Sequence, residues 1–225
     1  MHKRNYLAAA VITFLLFGMG LLLGVFLSGE RLDYSQQQLQ QQRLELDSLQ
    51  MQYQFINSFN LKDNCAAIDK TFEVNVKNLI DLGSKIEKYS ADVNFNVEEF
   101  NNLKREYALA QLRYWLLARK AEETCKRDIV SVIYFYSDED ACFSCSTQSR
   151  ILTYLKGQLE NKLLVFSMDA AFTLEPMVTI LKESYNITAF PSLVIGNTVF
   201  TGLQTEERLL IELCSRYQEK PELCW

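Results

Sequence analysis

The sequence predicts an α/β C-terminal domain, with a mixed central sheet and flanking helices. An N-terminal transmembrane helix and an α-helical stalk and hairpin precede it. Three observations predict this order. Tyr6 to Leu27 carries no charged residue and is rich in leucine and phenylalanine. From Leu32 to Ala121, apolar side chains recur at helical spacing. At Asp128 the period changes: Ile129-Val130-Ser131-Val132-Ile133-Tyr134-Phe135-Tyr136 is β-branched and aromatic without polar alternation, as in a strand buried on both faces.

Composition narrows the function classes. A chain of 225 residues, 48% of them hydrophobic, holds one or two compact domains plus extensions. The net charge is -5 and no basic stripe follows the apolar segment, which argues against a nucleic-acid partner. His2 is the single histidine, so no histidine-based triad can form and a histidine-containing metal site has almost no ligands to draw on. No cofactor is expected. Six cysteines are few for a disulfide scaffold but many for a chain without a redox or metal role.

Residues 1–28 read as a cytoplasmic tip and a membrane span. As a helix, Tyr6 to Leu27 would cross the roughly 30 Å hydrocarbon core. Lys3 and Arg4 precede it and Glu30, Arg31 and Asp33 follow it, so the positive-inside bias puts the N-terminus in the cytoplasm and the rest outside. A cleaved signal peptide is the competing reading. The apolar run exceeds a normal signal core, and Leu27-Ser28-Gly29 offers no good small-x-small cleavage site. The expectation is a single-pass anchor in the cell membrane with an extracytoplasmic C-terminal domain. Gly20 and Gly24 form a small-xxx-small pair, read here as ordinary glycine use in a span.

Residues 29–60 carry a heptad pattern. Leu32, Leu39, Leu46 and Tyr53 occupy one core position, and Ser35, Gln42, Leu49 and Ile56 the other. Two readings stand: a parallel coiled coil that makes a homodimer through 30–56, or one amphipathic helix packed on the next segment. Residues 61–125 read as a helical hairpin. Phe72, Val76, Leu79, Gly83 and Ile86 share one face, and Phe100, Leu103, Tyr107, Ala110, Tyr114, Leu117 and Ala121 another. Ser90-Ala91-Asp92 falls in the turn, and Asn96 followed by Glu99 is a capping-box variant. Cys65 and Cys125 lie at similar distances on either side of the turn, so both reach the open end. A disulfide there would close a long loop, worth about 4 kcal/mol in the chain-entropy model; two unrelated buried thiols are the alternative.

Residues 126–225 form the α/β part. The strand at 129–136 leads through the polar loop Ser137 to Asp140 into Ala141-Cys142-Phe143-Ser144-Cys145. Ser146 to Leu159 reads as a helix, Lys162 to Ser167 as a strand and Leu174 to Tyr185 as a helix. Ser192 to Ile195 and Thr198 to Phe200 form a hairpin across Gly196-Asn197. Thr205 to Tyr217 is a closing helix. A Cys-x-x-Cys pair by itself is either a redox dithiol or half a metal site. The only other nearby thiols, Cys214 and Cys224, are spaced wrongly for a zinc knuckle, so no metal is expected. They either pair with each other around Pro221, pinning the tail, or stand as two free thiols.

This element order, with Cys142 and Cys145 at the first strand–helix junction and Phe190-Pro191 just before the hairpin, resembles the thioredoxin fold over roughly residues 126 to 217. Together with the anchor, the chain looks like the membrane-tethered thioredoxin-like proteins of microbial cell envelopes. The resemblance implies a cis proline at Pro191 set against the dithiol, with Phe190 and Pro191 contacting substrate. Cys142, at a helix N-terminus where free N–H groups favour a thiolate, is the candidate nucleophile. Cys145, one turn further in and less exposed, is the resolving thiol. Protein thiols and disulfides would be the partners.

Two departures matter. Many family members place a buried acid below the dithiol, where Tyr134 falls here. The loop Ser137-Asp138-Glu139-Asp140 adds three negative charges, which oppose a low thiol pKa. A dithiol of intermediate reactivity follows. Three function classes stand: a thiol-disulfide oxidoreductase, a binding module with a static disulfide, and a scaffold whose helical stalk is the working part. Asn186-Ile187-Thr188 is also a glycosylation triplet, a pattern common by chance.

Overall fold

The computed structural model describes residues 12–21, 65–90, 96–138 and 140–225. The chain divides into two compact units, Met1–Phe59 and Asn60–Trp225. In the first, helix α1 is described over residues 12–21, with Phe14, Leu15 and Phe17 exposed. The transmembrane expectation is corrected at this point: among the described residues no helix is long and apolar enough to cross a membrane. An uncharged run counts apolar residues, whereas a span needs one continuous helix through all of them. The remainder of Tyr6–Leu27 and the whole heptad segment 29–60 lie outside the described residues.

The second unit runs α2 (Cys65–Ser90), α3 (Val97–Cys125), β1 (Val130–Tyr136), α4 (Cys145–Leu159), β2 (Leu163–Asp169), α5 (Pro176–Ser184), β3 (Ser192–Ile195), β4 (Thr198–Thr201) and α6 (Glu206–Arg216). The four strands make one mixed sheet in the order β2-β1-β3-β4. β1 and β2 are parallel, with Val130 opposite Leu163, and α4 supplies the crossover that a parallel pair needs. β3 returns antiparallel to β1, with Ser192 opposite Phe135. Gly196 takes the turn before β4 at φ 60°, a conformation that costs glycine little. Central β1 is buried except at Tyr136, which is why its sequence lacks polar alternation.

One face of the sheet is closed by α4 and α6. Leu152, Leu155 and Leu159 join Leu209 and Leu213 against Val132, Leu193 and Ile195. The helix ends match local chemistry. Thr205 caps α6 by accepting from the Arg208 N–H at 3.3 Å, and Glu175 caps α5 by accepting from the Met177 N–H at 3.1 Å.

The hairpin α2–α3 belongs to the same unit. Asn96 accepts from the Glu98 and Glu99 N–H groups at 3.0 and 3.3 Å, as its capping position predicts; the turn residues 91–95 lie outside the described residues. The stripe Phe72, Val76, Leu79, Gly83 and Ile86 is half-buried, while its neighbours Ile68 and Leu82 are fully buried. Phe72 meets Tyr114 edge to face, with ring centroids 5.1 Å apart. α3 is buried on a second face as well, through Ala108, Gln111, Leu112, Trp115 and Ala118. α3 reaches β2 through Gln111 and through Tyr114, whose ring meets Phe166 edge to face with centroids 5.5 Å apart. The Gln111 side chain accepts from the Ser167 N–H at 2.8 Å and donates to the Ser167 carbonyl at 2.9 Å. β2 is an edge strand, so Gln111 satisfies backbone groups that a neighbouring strand would otherwise take.

Candidate active site

The dithiol is placed by the end of β1 and the start of α4. After Tyr136 the chain folds back, and the Asp138 carbonyl accepts from the N–H groups of Ala141 and Cys142 at 3.2 and 2.9 Å. Cys145 opens α4, and its N–H donates to the Cys142 carbonyl at 3.2 Å. Cys142 and Cys145 are joined in a disulfide with Cα atoms 5.4 Å apart. The Ser144 side chain makes no capping hydrogen bond, so the first-turn N–H groups of α4 keep their capacity to stabilise negative charge beside Cys142.

The expected exposure difference between the two cysteines is corrected. Cys142 is 4% exposed and Cys145 6%, because the bond between them ties both sulfurs to the head of the helix. The residue between them, Phe143, is 98% exposed. Asp138 and Asp140 are exposed, whereas Glu139 lies outside the described residues.

Tyr134 lies beneath this pair, where its sequence position puts it. Its hydroxyl donates to the Cys145 carbonyl at 2.6 Å, and burial pushes its pKa up to about 12. It therefore stays neutral where the resemblance would have put an acid. The Phe190–Pro191 bond is cis. Pro191 directly precedes β3, whose Ser192 faces Phe135 near the end of β1, so the proline and the dithiol share one end of the sheet. A set of polar contacts links them. Gln148, fully buried one turn past Cys145, accepts from the Gln204 N–H at 2.7 Å. Gln204 donates to the Thr201 and Gly202 carbonyls, each at 3.1 Å. The Gly202 N–H donates to the Pro191 carbonyl at 2.8 Å.

A cavity of about 380 Å³ borders the dithiol on the side of α3. Both cysteines line it, with Tyr134, Tyr136, Tyr107, Lys104 and Asp169 among the other walls. Neither Phe190 nor Pro191 does. Lys104 pairs with Asp169, and its ammonium lies 4.8 Å from the centroid of the Phe172 ring. The other Asp169 oxygen accepts from the Ala171 N–H at 2.9 Å. Tyr136 is pushed up to about 12 by burial, then by Asp169, Tyr107 and Tyr134. Tyr107 is raised by burial and by Glu87. Sequence reasoning placed Tyr107 only on the hairpin face and did not single out Lys104 or Asp169. The polar Gln111 within the aromatic stretch of α3 was the available sign that this helix serves two faces.

The remaining candidate cysteines also pair: Cys65 with Cys125 at a Cα separation of 5.8 Å, and Cys214 with Cys224 at 5.5 Å. All six cysteines are thus in disulfides. Among the described residues, no cluster of histidine, cysteine or carboxylate side chains is placed to hold a metal ion.

No family model and no curated protein matches the chain. Among solved structures, the chain is similar to one described as "Structure of a malarial protein", at 16% identity and a TM-score of 0.34 over 40% of this chain and 99% of that one. So distant a likeness carries no argument about function.

Proposed function

We propose that this chain is a thioredoxin-like thiol-disulfide oxidoreductase that exchanges disulfides with extracytoplasmic proteins. The Cys142–Cys145 disulfide at the head of α4, directly beyond the central strand, carries this reading. In the reduced protein the Cys142 thiolate, favoured by the N-terminal end of α4, attacks a partner disulfide and expels one partner thiolate. Cys145 then attacks the mixed disulfide at Cys142, releases the second thiolate and restores the internal bond. Phe190 and Pro191, at the same end of the sheet, would contact the extended partner chain. Three disulfides in one chain fit an oxidising compartment. The two acids Asp138 and Asp140 near the dithiol support a moderate redox strength. A Cys142 pKa below about 4, as in the strongest oxidants, would refute that part.

A binding module with a static disulfide is the second reading, and the burial of both sulfurs is what favours it. Insulin reduction by the full-length chain separates the two. Turnover that disappears in Cys142→Ser, together with mixed disulfides trapped by Cys145→Ala, supports exchange. No turnover and no trapped partner supports the static disulfide.

A further inference from the structure

Beside the dithiol, opposite in role to the Phe190–Pro191 edge, lies the cavity that α3 helps to wall. Its charged side chains are already matched. Lys104 faces Asp169 and the Phe172 ring, and both Asp169 oxygens have donors. An ionic group entering here would lose water and meet no free opposite charge. The rest of the wall is uncharged: Tyr107, Tyr134 and Tyr136 stay protonated, with the Tyr134 hydroxyl committed to Cys145, and Phe172, Ala108 and Val178 add apolar surface beside the neutral polar groups of Gln111 and four serines. About 380 Å³ lies in the lower part of the roughly 300–1,000 Å³ range of pockets that hold organic groups. Both sulfur-bearing residues form part of the wall, so a group seated there is adjacent to the bond being exchanged.

The geometry points to a specificity pocket: the cavity between α3 and the dithiol receives a large neutral, preferably aromatic, side chain next to the substrate's reacting cysteine. This deepens the proposed exchange activity and rests on it. The substrate class is then a peptide or protein disulfide with Phe, Tyr, Trp or Leu beside one cysteine. The reaction balances without a further reagent. The protein dithiol is oxidised to the Cys142–Cys145 disulfide, the substrate disulfide gains two electrons, and the two dithiol protons pass to the two released thiols.

The test uses the full-length protein, reduced beforehand with dithiothreitol and freed of it. Rates of reduction are measured for short peptide disulfides that differ only in the residue beside cysteine, on either side: Gly, Glu, Lys, Leu or Phe. The expected order is Phe and Leu ahead of Gly, with Glu and Lys slowest. The Phe-to-Gly ratio should be roughly 2- to 10-fold, the rate equivalent of one aromatic contact. Ser149 lines the cavity from an exposed position on α4, so Ser149→Trp should fill it and bring the ratio towards one, while Ser149→Ala should keep the ratio. Equal rates for all flanks, with exchange intact, would overturn the pocket and leave the exchange activity standing. A Phe preference that survives Ser149→Trp would place recognition elsewhere and also overturn it. No exchange with any peptide would remove the activity on which the pocket depends.

Discussion

The Tyr134 hydroxyl donates to the Cys145 carbonyl at 2.6 Å, tying the central strand to the first residue of the dithiol helix. Tyr134 is thereby a neutral hydrogen-bond donor beneath the dithiol, bonded to backbone rather than to a sulfur. Tyr134→Phe keeps the ring in the core and removes only that bond. The expected cost is about 1 kcal/mol, read as a lower urea midpoint with an unchanged slope. A loss above about 4 kcal/mol would exceed what one hydrogen bond carries and would show that the tyrosine does more.

Gln111 and Ser167 make a pair of hydrogen bonds that close the β2 edge. Gln111→Leu leaves two backbone groups of Ser167 without protein partners at a half-buried position. We expect a loss of roughly 2–4 kcal/mol, with hydrogen exchange at the Ser167 amide accelerating more than at the β3 amides. Unchanged protection at Ser167 would argue that water replaces the side chain.

The two outlying disulfides should differ in strength. Cys65–Cys125 closes a sequence separation of 60 and Cys214–Cys224 one of 10. Double serine variants should lose about 4 and about 3 kcal/mol respectively in the chain-entropy model. Thermal or denaturant unfolding of each variant, with the Cys142–Cys145 pair kept oxidised, checks the order; the reverse order would show that local packing outweighs loop length.

Stability should fall at both pH extremes, for identifiable groups. Burial alone would raise the Asp128 carboxyl, but the N–H groups of Gln218 and Glu219 and the Lys162 ammonium outweigh it and hold it below its ordinary 3.8. A lowered folded value contributes stability that is complete above the unfolded value and lost as pH drops through the folded one. Asp128→Asn should therefore flatten the stability profile below about pH 4. In alkali the sign reverses. Tyr134 and Tyr136 are raised to about 12 from 10.0, so above pH 10 the unfolded chain releases protons that the folded one retains, and stability declines. A spectroscopic titration in which all tyrosines ionise near pH 10 without unfolding would contradict this.

Much of the second unit was legible in the chain because its signals are local. The unbroken apolar run of β1, the Gly196-Asn197 turn, the Asn96 cap and the strand, helix and hairpin order each depend on neighbours within a few residues. The cysteine pairings were also within reach, since position along two antiparallel helices brings Cys65 level with Cys125.

The second face of α3 was not. Periodicity assigned one apolar stripe to each hairpin helix, but Ala108, Gln111 and Trp115 are buried outside it, and Gln111 bonds an edge strand distant in sequence. The same docking brings Lys104 to Asp169 and Tyr107 to the wall beside the cysteines. The membrane span is corrected on the described residues, among which no helix is long and apolar enough to cross; an apolar composition alone does not state how long a helix is.

By itself, then, the sequence determined the strands, the helices and the placing of Cys142 and Cys145 at a helix start, all set by short-range backbone and periodic preferences. Only the tertiary structure decided that both sulfurs are buried, that the charges in the cavity beside them are paired and three tyrosines line it, and that a helix from the hairpin forms its far wall. Those properties arise where segments far apart in the chain meet, and no single segment contains the information.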